Sequence, residues 1–288
     1  MKNMNKVAIV TDSSTAFPDS IVREYDLNVI PLSVLWDGNS YLDGIDITLP
    51  EFYERLANSE TIPTTSQPSV GMFSQAFKTL IDQGYDVLAI LISAKLSGTC
   101  QSAFQAAAAF PRKRITIIDS KQVSLPLSLV VLMTAQAAKR GATLLECTNL
   151  ATDLCQRVRT LFIVDTLEFL HKGGRIGGAA RLIGTALKMK PILEIKDGTV
   201  DSFEKVRTFK KATERLFEVV EAELGKQGTI EYLGIVTANA AQIGDEFLTL
   251  AHQRFHVRNE FVGLISPAIG THVGPGAVGF TYIPPKQA

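Results

Sequence analysis

Over the first half of the chain, four short runs rich in Val, Ile and Leu, at residues 7–10, 28–35, 87–92 and 115–118, alternate with segments of helical character. This alternation constrains the fold more than any other feature. Strands of a parallel sheet are buried on both faces, so they read as continuous apolar runs, and each needs a crossover before the next. The expected architecture is therefore α/β, with helices around a mostly parallel sheet. Two helix starts can be named. Thr48 followed by Glu51, with Pro50 in the first turn, and Thr143 followed by Glu146 have the spacing at which a carboxylate reaches back to its own cap. The alanine-rich run from Thr99 stops before Pro111, as a closely packed helix does.

From about Leu161 the pattern changes. Apolar runs at 192–195 and 200–203 flank Lys196-Asp197-Gly198, and Asp-Gly is a strong hairpin signal because it accepts the positive φ of a tight turn. An amphipathic helix is expected over 210–224, ended by Gly225, and further strands at 233–236, 260–265 and 278–283. These features predict a second, mixed or antiparallel α/β domain. The expected division is 5–158 and 159–285. With no Pro, Gly or Ser-rich linker between the halves, a cleft between them is the natural ligand site.

Composition narrows the partners. Lys plus Arg equals Asp plus Glu at 29 each, so no global field draws in nucleic acid or an anionic membrane. Cys100, Cys147 and Cys155 lack the paired spacing of a zinc site and fit a reducing cytoplasm. The run at 7–10 is too short for a secretory signal core, and the apolar stretch 125–138, broken by Pro126 and Ser128, is too short to span a bilayer. We expect no metal and no cofactor.

Four segments carry candidate chemistry. Thr64-Thr65-Ser66-Gln67-Pro68-Ser69 precedes a helix near Ser69; such a cluster ordinarily caps a helix, and its positive end also favours an anion. Ser93-Ala94-Lys95-Leu96-Ser97-Gly98-Thr99 follows the run at 87–92, at the carboxyl edge of a strand where α/β folds bind ligands. It has neither a nucleophile-elbow frame nor a Walker loop, so Ser97 reads as a hydrogen-bond donor. In Ile269-Gly270-Thr271-His272-Val273-Gly274-Pro275-Gly276, three glycines around one histidine predict an accessible imidazole, although a lone His is more often structural. In Gly173-Gly174-Arg175, and at Arg207, arginines flanked by apolar residues offer a fork for a carboxylate or phosphate; a solvated basic turn paired with Glu168 and Glu204 is the ordinary alternative.

Together, Thr11-Asp12-Ser13-Ser14, Thr65-Ser66-Gln67-Pro68-Ser69, Leu96-Ser97-Gly98-Thr99, Gly173-Gly174-Arg175-Ile176, Lys205-Val206-Arg207-Thr208 and His272-Val273-Gly274-Pro275-Gly276 resemble the DegV family, in order, from about residue 6 to 284. The resemblance implies a bacterial two-domain protein that holds one long-chain fatty acid as the binding subunit of a fatty acid kinase system. A separate ATP-using subunit would phosphorylate the acid, and the acyl phosphate would enter phospholipid synthesis. Transient membrane contact for lipid exchange is a further expectation. It also implies that Thr65 and Ser97 bind the carboxylate with His272 beside them, and that Arg175 and Arg207 engage the phosphate or the kinase. One departure stands out: the family's Pro-Gly-Glu-Phe is Val70-Gly71-Met72-Phe73 here, which removes an acidic helix cap. Two other classes compete. A stand-alone acyl hydrolase or transferase would use Ser97 and His272, and a DNA-binding regulator would need a basic patch that the sequence lacks.

Overall fold

The computed structural model describes residues 6–183 and 189–286, and its architecture is α/β with a parallel and a mixed sheet. Strands β1 (Val7–Asp12), β2 (Asn28–Ile30), β6 (Asp86–Leu91) and β7 (Ile115–Asp119) form a parallel sheet in the order β2-β1-β6-β7. Side chains of β6 and its exit alternate between faces. Val87, Ala89 and Leu91 pack toward the helices Val70–Asp82 and Thr99–Ala107, while Leu88, Ile90 and Ile92 pack toward Leu125–Lys139 and Leu144–Arg157. Both faces are covered, which is why these strands are apolar throughout.

The run at 28–35 is two strands rather than one. β2 ends at Ile30, and β3 (Ser33–Trp36) joins β4 (Asn39–Leu42) and β5 (Thr64–Ser66) in a separate antiparallel sheet ordered β4-β3-β5. Pro31, which has no N–H to give a ladder, stands at the break. Both capping boxes form: the Glu51 carboxylate accepts from the Thr48 N–H at 2.9 Å, and that of Glu146 from the Thr143 N–H at 2.8 Å. The helix Val70–Asp82 starts without an acidic cap because the Ser69 hydroxyl accepts from the Met72 N–H at 3.3 Å.

The second sheet begins at β8 (Arg159–Ile163) and continues with β9 (Ile192–Lys196), β10 (Thr199–Glu204), β12 (Tyr232–Thr237), β14 (Glu260–Leu264) and β15 (Val278–Ile283), ordered β10-β9-β8-β15-β12-β14. All its pairings are antiparallel except β12 with β14; a small parallel pair, β11 (Thr229–Ile230) and β13 (His256–Val257), lies apart. The β9–β10 hairpin turns on Asp197 and Gly198, at φ of 50° and 83°, the double positive φ that the Asp-Gly pair predicts. One face of this sheet (Leu161, Ile163, Leu233, Ile235, Phe280) packs on Leu216, Phe217 and Val220 of the helix Phe209–Leu224 and on Phe247. The other face turns to the helix Leu125–Lys139.

That helix explains the longest apolar stretch in the sequence. Leu125, Leu127, Leu129, Val130 and Val131 are all fully buried because the helix contacts both sheets. A helix apolar all round belongs either in a membrane or in the middle of a core, and this one lies in the core. Among the described residues no helix is long and apolar enough to cross a membrane.

Candidate functional site

A mostly apolar tunnel runs between the two sheets, and about 920 Å³ of empty space, open solvent included, adjoins its walls. Its walls come from both halves of the chain: Ile92, Val123 and Leu125 on one side, Phe162, Ile195 and Val236 on the other. Polar side chains gather where the helix Pro267–Val273 meets β5 and the loop after β6. Thr65, Gln67, Ser97, Arg175 and His272 all line the tunnel.

Thr65 is in a strand rather than a helix cap. β5 pairs with β3, Thr65 opposite Val34, and this register presents its Oγ1 at 2.8 Å from His272 Nε2. His272 departs further from the expectation. The glycines 270 and 274 lie within and at the end of a short helix, Pro267–Val273, so the imidazole is 9 % exposed rather than accessible. Gly270 lets Phe52 and Tyr53 close on the helix, and a Cβ there would stand 2.8 Å from the Phe52 ring and 2.8 Å from the Tyr53 hydroxyl. Gly173 does the same for the imidazole itself: a Cβ at this position would collide with His272 Nδ1. Nδ1 is buried and has no hydrogen-bond partner among the described residues.

Ser97 sits at the carboxyl edge of the parallel sheet, as expected, and its Oγ lies 2.9 Å from Thr99 Oγ1. Two residues without a predicted role fix its loop. Asp12, wholly buried, accepts from the Ile92 N–H at 2.7 Å, and Ser93 Oγ donates at 2.7 Å to the Gly198 carbonyl at the hairpin tip. Asp43 acts similarly on the other side, accepting from Ser13 Oγ at 2.7 Å and from the Ala268 N–H at 3.3 Å in the first turn of the His272 helix. Burial pushes Asp43 up to about 6 against these hydrogen bonds. The visible signal for both was an acidic residue beside a strand end, which periodicity alone does not mark as special.

The two arginines separate. Arg175 lines the tunnel, held by its Nε donating to the Leu96 carbonyl at 3.1 Å and its Nη1 to the Gly173 carbonyl at 2.8 Å. Arg207 is exposed, lies outside the tunnel wall and makes no side-chain hydrogen bond or ion pair among the described residues, so the two form no fork within the tunnel. The ordinary pairings do not occur either: Glu168 pairs with Lys172 at 2.7 Å and Glu204 with Arg215 at 2.9 Å. His252 pairs with Glu260, and no group of three His, Cys, Asp or Glu among the described residues is placed to hold a metal.

Burial, and secondarily the Arg175 charge, bring His272 from its ordinary 6.5 down to about 4, so the imidazole is neutral near pH 7. Between those two values the unfolded chain binds the extra proton, and the contribution of His272 to stability rises with pH from about 4 to 6.5 and is full above that. Relative to His272→Gln, the parent should therefore gain on the order of 3 kcal/mol across this window and nothing beyond it. Urea midpoints for both proteins at a series of pH values test this. The falling contribution of Asp43 is common to the pair and cancels in the difference. A gap that stays constant with pH would mean that the imidazole titrates normally.

The fold recurs in known proteins. The model of the DegV family, described as an uncharacterised protein family, matches residues 6–285. A DegV domain-containing protein of Listeria monocytogenes is 34% identical over 278 residues, covering 96% of this chain and 98% of that one. Among solved structures, a fatty-acid-binding DegV family protein from Thermus thermophilus superposes with a TM-score of 0.89 at 32% identity, covering 97% of this chain and all of the other. A stearic-acid-binding protein from Eubacterium ventriosum does so at 0.88 and 27% identity, covering 98% of each chain. With the fold, the order of the motifs and the family model agreeing over nearly its whole length, this chain belongs to the DegV family.

Proposed function

We propose that the chain holds one long-chain fatty acid in this tunnel, with the carboxylate at Thr65, Ser97 and His272, and presents it to a separate ATP-using kinase for acyl phosphate formation. The observation that carries the reading is a cluster of polar side chains around the Thr65–His272 bond, set in a mostly apolar tunnel between two sheets. A chain of about fifteen methylenes at about 0.8 kcal/mol each gives roughly 12 kcal/mol of gross burial before ordering costs. Affinity thus comes from the tail, and the polar end needs only to orient the head group. In the tautomer with hydrogen on Nε2, neutral His272 donates to Thr65 Oγ1 and leaves the Thr65 O–H free for the carboxylate. Arg175, in the tunnel wall, is assigned to the transferring phosphate or the kinase rather than to retention of the acid.

A stand-alone hydrolase is disfavoured by the same geometry. His272 Nε2 is engaged with Thr65, while Ser97 bonds Thr99 and no imidazole. We read the chain as a non-catalytic carrier, divided near 158/159 and working in the cytoplasm, where Cys100, Cys147 and Cys155 remain free thiols. Lipid exchange by transient membrane contact belongs to the same proposal.

Extraction of the purified protein into organic solvent, followed by mass spectrometry, should yield about one long-chain fatty acid per chain. Arg175→Ala and Arg207→Ala should keep near-parental lipid yet lose most acyl phosphate production with a fatty acid kinase subunit, because neither guanidinium is needed to bury a tail. Protein that carries no lipid and takes up none refutes the carrier reading. Variants that match the parent at every kinase concentration refute the role given to the arginines.

A further inference from the structure

The tunnel wall carries hydroxyls besides those grouped with His272. Thr281 on β15 and Thr160 on β8 stand directly opposite in the antiparallel ladder, both line the tunnel, and their Oγ1 atoms are 2.9 Å apart. Ser124, 8 % exposed, lines it too, and its Oγ has no hydrogen-bond partner among the described residues. Ser124 is held there at a φ of 59°, unusual for a residue with a Cβ, at the start of the helix Leu125–Lys139.

The hydrogen count makes these positions notable. A pair of threonines sharing one hydrogen bond commits one of its two O–H groups; the other, with that of Ser124, has no acceptor among the described residues. Cross-strand threonine pairs are ordinary where a sheet faces water. Thr160 is half-buried, but at Thr281 and Ser124 an uncommitted buried hydroxyl against a plain alkyl tail is costly, and Val or Ala there would avoid the cost. The pair belongs to the mixed sheet, whereas Thr65, Ser97 and His272 stand on β5, the loop after β6 and the helix Pro267–Val273.

We infer that Thr160, Thr281 and Ser124 form a second polar station in the tunnel, which accepts an oxygen substituent carried on the acyl chain. The ligand class is a hydroxy or oxo long-chain fatty acid. The inference rests on the carrier reading above and specifies its ligand. An apolar tunnel rejects such a chain, because burying an unpaired hydroxyl weakens binding on the order of a hundredfold. A station holding both a donor and an acceptor cancels most of that loss at one substituent position and not at others.

The test is competition against bound radiolabelled palmitate by stearic acid and by hydroxystearic acids with the hydroxyl near the carboxyl, in mid-chain and at the ω end. In the parent, at least one of these isomers should bind within about threefold of stearate. The same isomer should weaken about tenfold or more in Thr281→Val, with stearate unchanged or tighter in that variant; Thr160→Val and Ser124→Ala provide the same comparison should one substitution fail to fold. If every isomer binds at least about tenfold more weakly than stearate in the parent, the station does not exist. A tolerated isomer unaffected by all three substitutions overturns it equally, and means that the threonines only hold two strands in register. Failure of stearate itself to bind the parent would overturn the carrier reading and this inference with it.

Discussion

Replacing Gly173 with alanine is expected to drive the His272 imidazole off Thr65 and to weaken fatty acid binding tenfold or more. Gly173 has an ordinary negative φ of −75°, so the backbone tolerates alanine; the constraint is space. A Cβ there would collide with His272 Nδ1 and stand 3.0 Å from the Phe169 carbonyl oxygen. The imidazole has little room to move, because its helix is closed in by Phe52 and Tyr53 at Gly270 and tied to Asp43 at Ala268. Overpacking of this kind typically costs about 1–3 kcal/mol in stability as well. A double-mutant cycle separates steric conflict from general damage. With His272→Ala in place, Gly173→Ala should lose most of its effect, a coupling of about 1–3 kcal/mol by thermal or urea unfolding. Additive losses would show that the two residues do not meet.

Gly279→Leu is expected to have the largest effect on lipid content and to change which lipids bind. Gly279 lies on β15 in the tunnel wall, and a Cβ there would already stand 3.0 Å from Val236 Cγ1. The added side chain must enter the tunnel, taking the space of about four methylenes. At about 0.8 kcal/mol each, roughly 3 kcal/mol of tail burial is lost, about two orders of magnitude in affinity for an acid that fills the tunnel. Shorter acids should suffer less. Extraction of the purified variant should show little palmitate or stearate, while titration with medium-chain acids shows binding closer to the parent's. Circular dichroism identifies a variant that has merely unfolded. A folded variant with undiminished stearate would place the acyl chain elsewhere.

Much of this protein could be read from its residues. The Asp197-Gly198 hairpin, the capping boxes at Thr48 and Thr143, and the strands over 87–92 and 115–118 depend on local chemistry, which sequence displays directly: turn dihedrals, reach-back carboxylates and apolar runs. The candidate residues Thr65, Ser97 and His272 were also visible, through the motifs that surround them. The family resemblance singled them out but said nothing of their arrangement.

Their arrangement came from tertiary structure alone. Thr65 and His272 are 207 positions apart, and their 2.8 Å contact depends on two things that no local pattern records. Pro31 divides an apparent single strand so that β3 can pair with β5, and Asp43 anchors a helix that the glycine-rich sequence around His272 presented as an open loop. The imidazole is neutral because of what packs over it, so its burial could not be anticipated from its neighbours in sequence. Arg175 and Arg207 looked equivalent for the same reason, and only packing put one in the tunnel wall and left the other in solvent. The apolar stretch at 125–138 was legible as too short for a membrane, yet its role between two sheets, and hence the tunnel beside it, depended on both sheets being in place. Sequence set the local conformations and the chemical inventory; the long-range contacts that decide burial, charge state and which side chains meet exist only once the chain has closed on itself.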